Sequence, residues 1–159
     1  MKAASRGTRR QRGSAVVEMA LIAPLVLLLM VGIVEMSLVF FTTLTMQYAV
    51  REGARYGITG QVDKDPNTAN QQRYLAIIQK IKDSSMGMYD RVTPVISVNK
   101  QAYASSTAYT SNMFGGPGDI VVLQLDCSWP MATPLLAQFF TNGVYKFTVA
   151  ATMRNEIFQ

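Results

Sequence analysis

The sequence predicts an α+β fold, in which a long N-terminal transmembrane helix extends into a small domain with a short helix and an antiparallel sheet of three or more strands. An uncharged apolar run, "MALIAPLVLLLMVGIV", lies between Glu18 and Glu35 and predicts the long helix. The stretch "YLAIIQKI" has apolar residues at helical spacing. Two stretches near the C-terminus, "DIVVLQLDCSW" and "VYKFTVAATMRNE", alternate apolar and polar residues as half-buried strands do.

The positive charge of the 159-residue chain is concentrated before Gly13. The basic residues there are Lys2, Arg6, Arg9, Arg10 and Arg12, and no acidic residue accompanies them. From Ser14 onward the ten basic residues are balanced by ten acidic ones. We therefore predict no basic face on the folded part and no nucleic-acid partner. Basic residues that flank an apolar segment stay on the cytoplasmic side, which predicts a cytoplasmic N-terminus and a C-terminus on the opposite side of the membrane.

The window from Val16 to Phe41 is long enough to span a bilayer, which takes roughly 20 apolar residues. Glu18 would then lie at the cytoplasmic boundary, and Glu35 near the outer one. A cleavable secretory signal is less well supported, because no A-x-A-like site follows the apolar core. The pair Arg9-Arg10 alone does not support a twin-arginine signal.

The residue types needed for most catalytic and metal sites are scarce. The chain has no histidine, which is the commonest general base and metal ligand, and one cysteine, Cys127. Because Cys127 lies in an alternating apolar stretch, we interpret it as a small buried residue, and intrachain disulfides are excluded. We predict no enzymatic activity and no cofactor.

A carboxylate at the start of an apolar helix is costly, so Glu18 needs an explanation. The basic leader ends in Gly13, four small or apolar residues follow, and Glu18 comes next. This pattern resembles the processing site of type IV pilin-like proteins. The resemblance implies that a membrane-embedded aspartyl prepilin peptidase cuts between Gly13 and Ser14. Residues i and i+4 share a helix face, so Glu18 could then neutralise the new Ser14 ammonium of its own chain or of a neighbour.

The stretch "RGSAVVEMALIAPLVLLLMVGIVEMSLVFF" is similar to the TadE-like family, which comprises minor pilins or pseudopilins of the tight-adherence (Tad) pilus. The following "YAVREGARYG" and the closing "TMRNEIF" also resemble family members. The resemblance implies a single-pass protein of the bacterial inner membrane that can enter an extracellular pilus, with Glu18 and Glu35 in helix pairing and assembly. The implied partners are prepilin peptidase, the major and other minor pilins, and the inner-membrane assembly platform.

We divide the chain into a basic prepilin leader (1–13), a transmembrane helix (14–46), an amphipathic extension of that helix (47–60) and a periplasmic α+β domain (61–159). In the extension, one apolar stripe is expected to be buried. The stripe comprises Met46, Ala49, Val50, Gly53 and Ala54. Gly53 and Gly57 have G-x-x-x-G spacing, which marks either close helix packing or the helix end, and we favour the helix end.

Beyond the helix we predict a polar linker (62–70), a second helix (71–87) and strands at 91–100, 119–129 and 144–156. Pro94 suggests that the first strand lies at an edge or carries a bulge. Loop 102–118 contains three aromatic residues, Tyr103, Tyr109 and Phe114. They form an adhesive surface or a packing surface, or the loop is mobile and exposed between strands.

Two other functions remain compatible with the residues. One is an unprocessed, membrane-anchored periplasmic scaffold protein, which would keep residues 1–13. The other is a pseudopilin of a type II-like secretion system. About a hundred residues follow the predicted helix, which favours a minor subunit over the much shorter major pilin of the Tad pilus.

Overall fold

The computed structural model describes the backbone of residues 8–157 and the side chains of residues 14–157. Residues 1–7 of the predicted leader, and the side chains of residues 8–13, lie outside this description. The chain divides into two compact units, which we call the N-terminal unit (Met1–Ser37) and the C-terminal unit (Leu38–Gln159). Helix α1, Thr8–Ile58, contributes residues to both units and begins before the predicted start at Ser14.

Helix α1 ends close to the glycines that the sequence offers as stop signals. Its last residue is Ile58, and Gly60 has a φ of 72°, which a residue without Cβ adopts at little cost. Pro24 lies inside the helix and cannot donate the backbone hydrogen bond of its turn. Apolar residues with good helix propensity surround it and favour continuation of the helix.

The C-terminal unit contains a four-stranded antiparallel sheet, which confirms the α+β prediction. The strands are β1 (Val95–Val98), β2 (Gln101–Tyr103), β3 (Ile120–Pro130) and β4 (Val144–Arg154). Their order is β2-β1-β3-β4, and the long pair β3–β4 runs from Ile120↔Arg154 to Pro130↔Val144. The helices of this unit after α1 are α2 (Arg73–Ser84), α3 (Met88–Val92) and α4 (Pro134–Ala137), and the sequence predicted only α2 among them.

The core of the C-terminal unit forms where the apolar stripes of α1 and α2 meet one face of the sheet. The predicted α1 stripe is buried, with Met46, Ala49 and Val50 fully inaccessible. Helix α2 contributes Ala76, Ile77 and Ile81. Alternate residues of β3 face inward, as the alternation predicts. They are Val121, Leu123, Leu125, Cys127 and Trp129.

Gly53 and Gly57 are sites of close helix packing, contrary to the interpretation that we favoured. A Cβ on Gly53 would lie 2.2 Å from Cγ1 of Ile81, and one on Gly57 would lie 3.0 Å from Cδ1 of Ile77. Glycine therefore allows α2 to pack directly on the backbone of α1. The sequence shows the G-x-x-x-G spacing but does not show which helix packs against these glycines. The contact joins α1 to α2, whose residues are far from the glycines in the chain.

The edge position suggested by Pro94 is wrong. Strand β1 begins at Val95, directly after the proline, and it pairs with both β2 and β3. Proline disrupts a strand by removing a donor from the ladder. Pro94 precedes the first paired residue, so the strand lies inside the sheet without losing a ladder bond.

Loop 102–118 is buried at its two ends and exposed between them, at residues 104–108 and 110–112. Phe114 is 1% exposed, Met113 is 4% exposed, and Tyr103 belongs to strand β2. The rings of Tyr103 and Tyr109 are 6.5 Å apart. Tyr103 and Phe114 therefore take part in a packing surface, which is one of the alternatives that the sequence offers. A second strand was missed because only three residues of it pair.

Candidate functional site

The N-terminal unit exposes apolar side chains all around its helix. Leu21, Leu25 and Leu29 are 62–75% exposed, and their neighbours on other faces are also open. The most hydrophobic 18-residue window has a mean hydropathy of 2.6 and no buried residue. By length and composition the segment that begins at Ser14 can cross a membrane. Large exposed apolar surfaces mark membrane or protein contacts, and an apolar helix exposed on every side suits lipid.

The predicted processing residues all lie in helix α1. Ser14 and Glu18 are exposed, and Gly13 is within the helical backbone. Because Ser14 and Glu18 are one turn apart, their side chains share a face of the helix. Glu18 therefore presents a carboxylate on an otherwise apolar and exposed surface, one turn from the predicted new N-terminus.

Glu35, the second predicted assembly residue, has a different environment. It is only 4% exposed, whereas its neighbours Val34 and Met36 are 60% and 50% exposed. A buried carboxylate requires hydrogen-bond or charge partners to offset its desolvation. The two glutamates thus differ in exposure, since the Glu18 side chain is exposed and that of Glu35 is buried.

A polar cluster around Arg73 and Asn155 ties together the far end of the C-terminal unit. The Arg73 guanidinium donates from Nη2 to the Gly57 carbonyl at 2.8 Å and to Asn155 Oδ1 at 2.9 Å, and from Nη1 to the Gly115 carbonyl at 2.7 Å. Asn155, 3% exposed, donates from Nδ2 to the carbonyls of Phe114 and Gly116 at 2.9 and 2.8 Å. Burial lowers the pKa of Arg73.

This cluster joins the end of α1, the start of α2, the loop before β3 and the end of β4. A backbone bond from Glu156 N to Ile58 O, 2.9 Å long, adds a second link between α1 and the C-terminus of β4. The closing "TMRNEIF" resembles family members, but the resemblance implies no role for Asn155. The sequence feature that could have pointed to this role is an asparagine at the end of an alternating strand. Its hydrogen-bond partners cannot be predicted from the spacing of residues in the sequence.

The predicted polar linker is held by Asp65, which is 4% exposed. Its carboxylate accepts from Asn67 N at 2.8 Å and from the backbone N–H of Gln72, the residue that precedes α2. Tyr56 of α1 donates to Asp63 Oδ1 at 2.8 Å, and burial raises the pKa of this tyrosine to about 12. The linker therefore docks on α1 and positions the first turn of α2.

Among residues 14–157, no group of three or more His, Cys, Asp or Glu side chains could hold a metal ion. Cys127 is buried as predicted, and burial, with a smaller contribution from the Asp126 charge, raises the pKa of its thiol to about 12. A thiol in this environment stays protonated and is a poor nucleophile.

The comparison with protein families matches the segment that contains the predicted site. Residues 13–55 match the model of the family described as TadE-like protein. This segment is TadE-like. The match begins at Gly13, includes Glu18 and Glu35, and ends three residues before the end of α1. It confirms, for this segment, the resemblance predicted from the sequence. The TadE-like family is a structural, pilus-associated family.

Comparisons with curated proteins and with solved structures gave no match. The TadE-like match does not extend over the sheet, α2 or the Arg73–Asn155 cluster.

Proposed function

We propose that this chain is a minor pilin or pseudopilin subunit that takes part in assembly of a tight-adherence-type pilus. The TadE-like match beginning at Gly13, with Glu18 exposed one turn after Ser14, is the observation that carries the proposal. The chain is inserted in the inner membrane through the exposed apolar part of α1. Prepilin peptidase then removes residues 1–13, and the helix enters the pilus or its base.

The role of Glu18 in this scheme is electrostatic. Cleavage after Gly13 would leave an α-ammonium at Ser14, on the helix face that carries Glu18. An ionised carboxylate next to lipid is costly, and an ammonium from the same or a neighbouring chain offsets that cost. Pairing between chains would fix the axial register of one subunit against the next.

The direct test is the N-terminus of the chain purified from membranes of its native host. We expect a mass that begins at Ser14. Gly13→Asp should retain the leader, because it places a charged side chain at the scissile bond. Gly7→Asp adds the same charge within the leader and should still be processed. A wild-type chain that begins near Met1 would favour the unprocessed scaffold instead.

Topology is tested separately from processing. A reporter enzyme that is active only outside the cytoplasm should be active when fused after Gln159. The five basic residues of the leader predict this orientation. If this fusion is inactive and a second reporter, which works only in the cytoplasm, is active at the same position, both the orientation and the pilin assignment are contradicted.

A further inference from the structure

The connection between β3 and β4 exposes apolar side chains at its tip. We call residues 131–143 the β3–β4 tip. Within it Phe139 is 79% exposed and Leu135 is 47% exposed. Leu135 lies in α4, and Phe139 lies two residues after its end. Exposed phenylalanine is costly in water, so this surface favours an apolar partner.

The tip is ordered, so the two side chains project from a fixed structure. Met131 N donates to Gly143 O at 2.9 Å and closes its base, and Ala137 N donates to Thr133 O at 2.9 Å within it. Phe140 of the tip packs edge-on against Tyr145 of β4, with 5.9 Å between the ring centroids. The exposure of Leu135 and Phe139 therefore does not result from an unstructured loop.

Two contacts within the C-terminal unit fix the direction in which the tip points. Glu156 N donates to Ile58 O, and Gln47 Nε2 donates to Ala150 O at 2.9 Å. From Ile58 back to Gln47 the helix covers about 16 Å. From Glu156 back to Ala150 the strand covers about 20 Å. Strand β4 thus runs nearly along α1, with its N-terminal end toward Leu38.

The rest of β4 is long enough to reach that end of the unit. From Ala150 to Val144 the strand covers about 20 Å, and from Gln47 to Leu38 the helix covers about 14 Å. The tip directly precedes Val144 in the chain and therefore lies at the end of the unit where Leu38 connects to the apolar segment. The Arg73–Asn155 cluster and Ile157 lie at the opposite end.

The charges of the chain fit a lipid partner. Residues 127–145, which contain the whole tip, include no Asp, Glu, Lys or Arg. A surface without charges has no ionic groups to desolvate at the edge of a bilayer, and aromatic residues are favoured there.

We propose that the β3–β4 tip rests on the outer surface of the membrane that anchors the chain, with Leu135 and Phe139 inserted among the lipids. This inference rests on the membrane insertion in the proposed function. The contact would hold the C-terminal unit against the bilayer before assembly, and it would be released when the subunit leaves the membrane. It predicts that Leu135 and Phe139 lose their lipid contacts on incorporation into a pilus.

The chain carries its own probe for this contact, because Trp129 at the end of β3 is its only tryptophan. The full chain is reconstituted in phosphatidylcholine vesicles with and without bromine on the acyl chains. We expect bromine to quench Trp129 in the wild type and quenching to be largely lost in Leu135→Gln/Phe139→Gln. Phe139→Gln alone should lose part of the Trp129 quenching. Ile157→Gln changes a residue that is 91% exposed at the opposite end and should match the wild type.

Carbonate extraction of the same vesicles separates this inference from the proposed function. A wild-type chain that is released by carbonate contradicts the membrane anchor and both proposals. If the chain is retained but Trp129 is not quenched, or the double variant is quenched like the wild type, only the tip contact is refuted. Loss of chemical cross-linking between chains in the double variant, with quenching unchanged, would instead assign the tip to a protein partner and overturn the lipid contact.

Discussion

Arg73 and Asn155 are joined by a hydrogen bond of 2.9 Å, although they lie 82 positions apart in the sequence. Arg73 is the first residue of α2, and Asn155 directly follows β4. Their remaining donors reach carbonyls at the end of α1 and in the loop before β3. One pair of side chains thus connects four segments that would otherwise have free backbone acceptors at the same end of the unit.

Asn155→Ala should therefore destabilise the C-terminal unit strongly. The change leaves the carbonyls of Phe114 and Gly116 without the Asn155 donors, and it removes one acceptor from Arg73. Unpaired buried polar groups cost about 1–3 kcal/mol each, so we expect a loss of roughly 2–4 kcal/mol in the free energy of unfolding. Chemical denaturation of the chain in mild detergent measures it.

The control for Asn155→Ala is Asn112→Ala, at an exposed position, which should change stability by less than about 0.5 kcal/mol. Arg73→Lys provides a second test, because an ammonium keeps the charge but not the planar fork of donors. Equal stability of Arg73→Lys and the wild type would show that the charge, and not the geometry, matters.

Gly53→Ala should weaken the packing of α2 on α1. The added methyl would lie 2.2 Å from Ile81 Cγ1, so Ile81 or the helix must shift. Overpacking costs about 1–3 kcal/mol. Combining it with Ile81→Ala makes room for the methyl, so the double variant should be more stable than the sum of the two single effects predicts. A thermal or denaturant unfolding cycle measures this coupling.

Gly32→Ala is the matched control, because Gly32 also lies within α1 and a Cβ there would have no neighbour within 4 Å. It should leave stability unchanged or raise it slightly. If Gly53→Ala and Gly32→Ala behave alike, the contact between the two helices does not depend on the missing side chain.

The free energy of unfolding should fall above pH 9 because the Cys127 thiol ionises more readily in the unfolded chain than in the folded one. Burial raises its pKa from 9.0 to about 12 in the folded chain. Below pH 9 the thiol is protonated in both states and contributes no pH dependence. Between pH 9 and about 12 the unfolded chain releases the proton first, so unfolding becomes more favourable by up to about 1.4 kcal/mol per pH unit.

Cys127→Ala should reduce this alkaline slope while lowering stability at neutral pH, because it removes a buried side chain. Unfolding curves of both proteins at several pH values from 7 to 10.5 make the comparison. An unchanged slope in Cys127→Ala would assign the alkaline loss to other groups, among which the half-buried Tyr89 and the buried Tyr56 also have raised pKa values.

Glu18→Ala should separate membrane insertion from assembly. Removing a carboxylate from the apolar surface makes insertion as good or better. If Glu18 pairs with a Ser14 ammonium, the variant leaves that ammonium without its partner, at a cost of roughly 3–5 kcal/mol for a buried pair and less where water reaches it. We expect the variant to be inserted and cleaved but poorly recovered with sheared pili or with other small pilins.

Glu52→Ala is the comparison for Glu18→Ala, because it removes a carboxylate from the same helix outside the apolar segment. It should be recovered with pili like the wild type. Equal recovery of Glu18→Ala would mean that Glu18 has no role in assembly.

The sequence by itself determined the features that depend on local pattern. The stripe from Met46 to Ala54 and the alternation in β3 and β4 are periodicities, and the apolar run after Ser14 is a continuous stretch. A periodicity predicts which face of a helix or strand is buried, regardless of which partner covers that face. The TadE-like segment could be recognised for the same reason, since its glycine, glutamates and apolar helix are close together in the chain.

Only the tertiary structure decided the features that depend on which segments meet. Gly53 has a packing role because Ile81 of another helix lies against it. Asn155 is essential to the cluster because Arg73 and two loop carbonyls converge on its side chain. Pro94 is compatible with an inner strand because pairing starts one residue later. The direction of the β3–β4 tip likewise follows from Gln47 meeting Ala150, a contact between distant parts of the chain that no local pattern encodes.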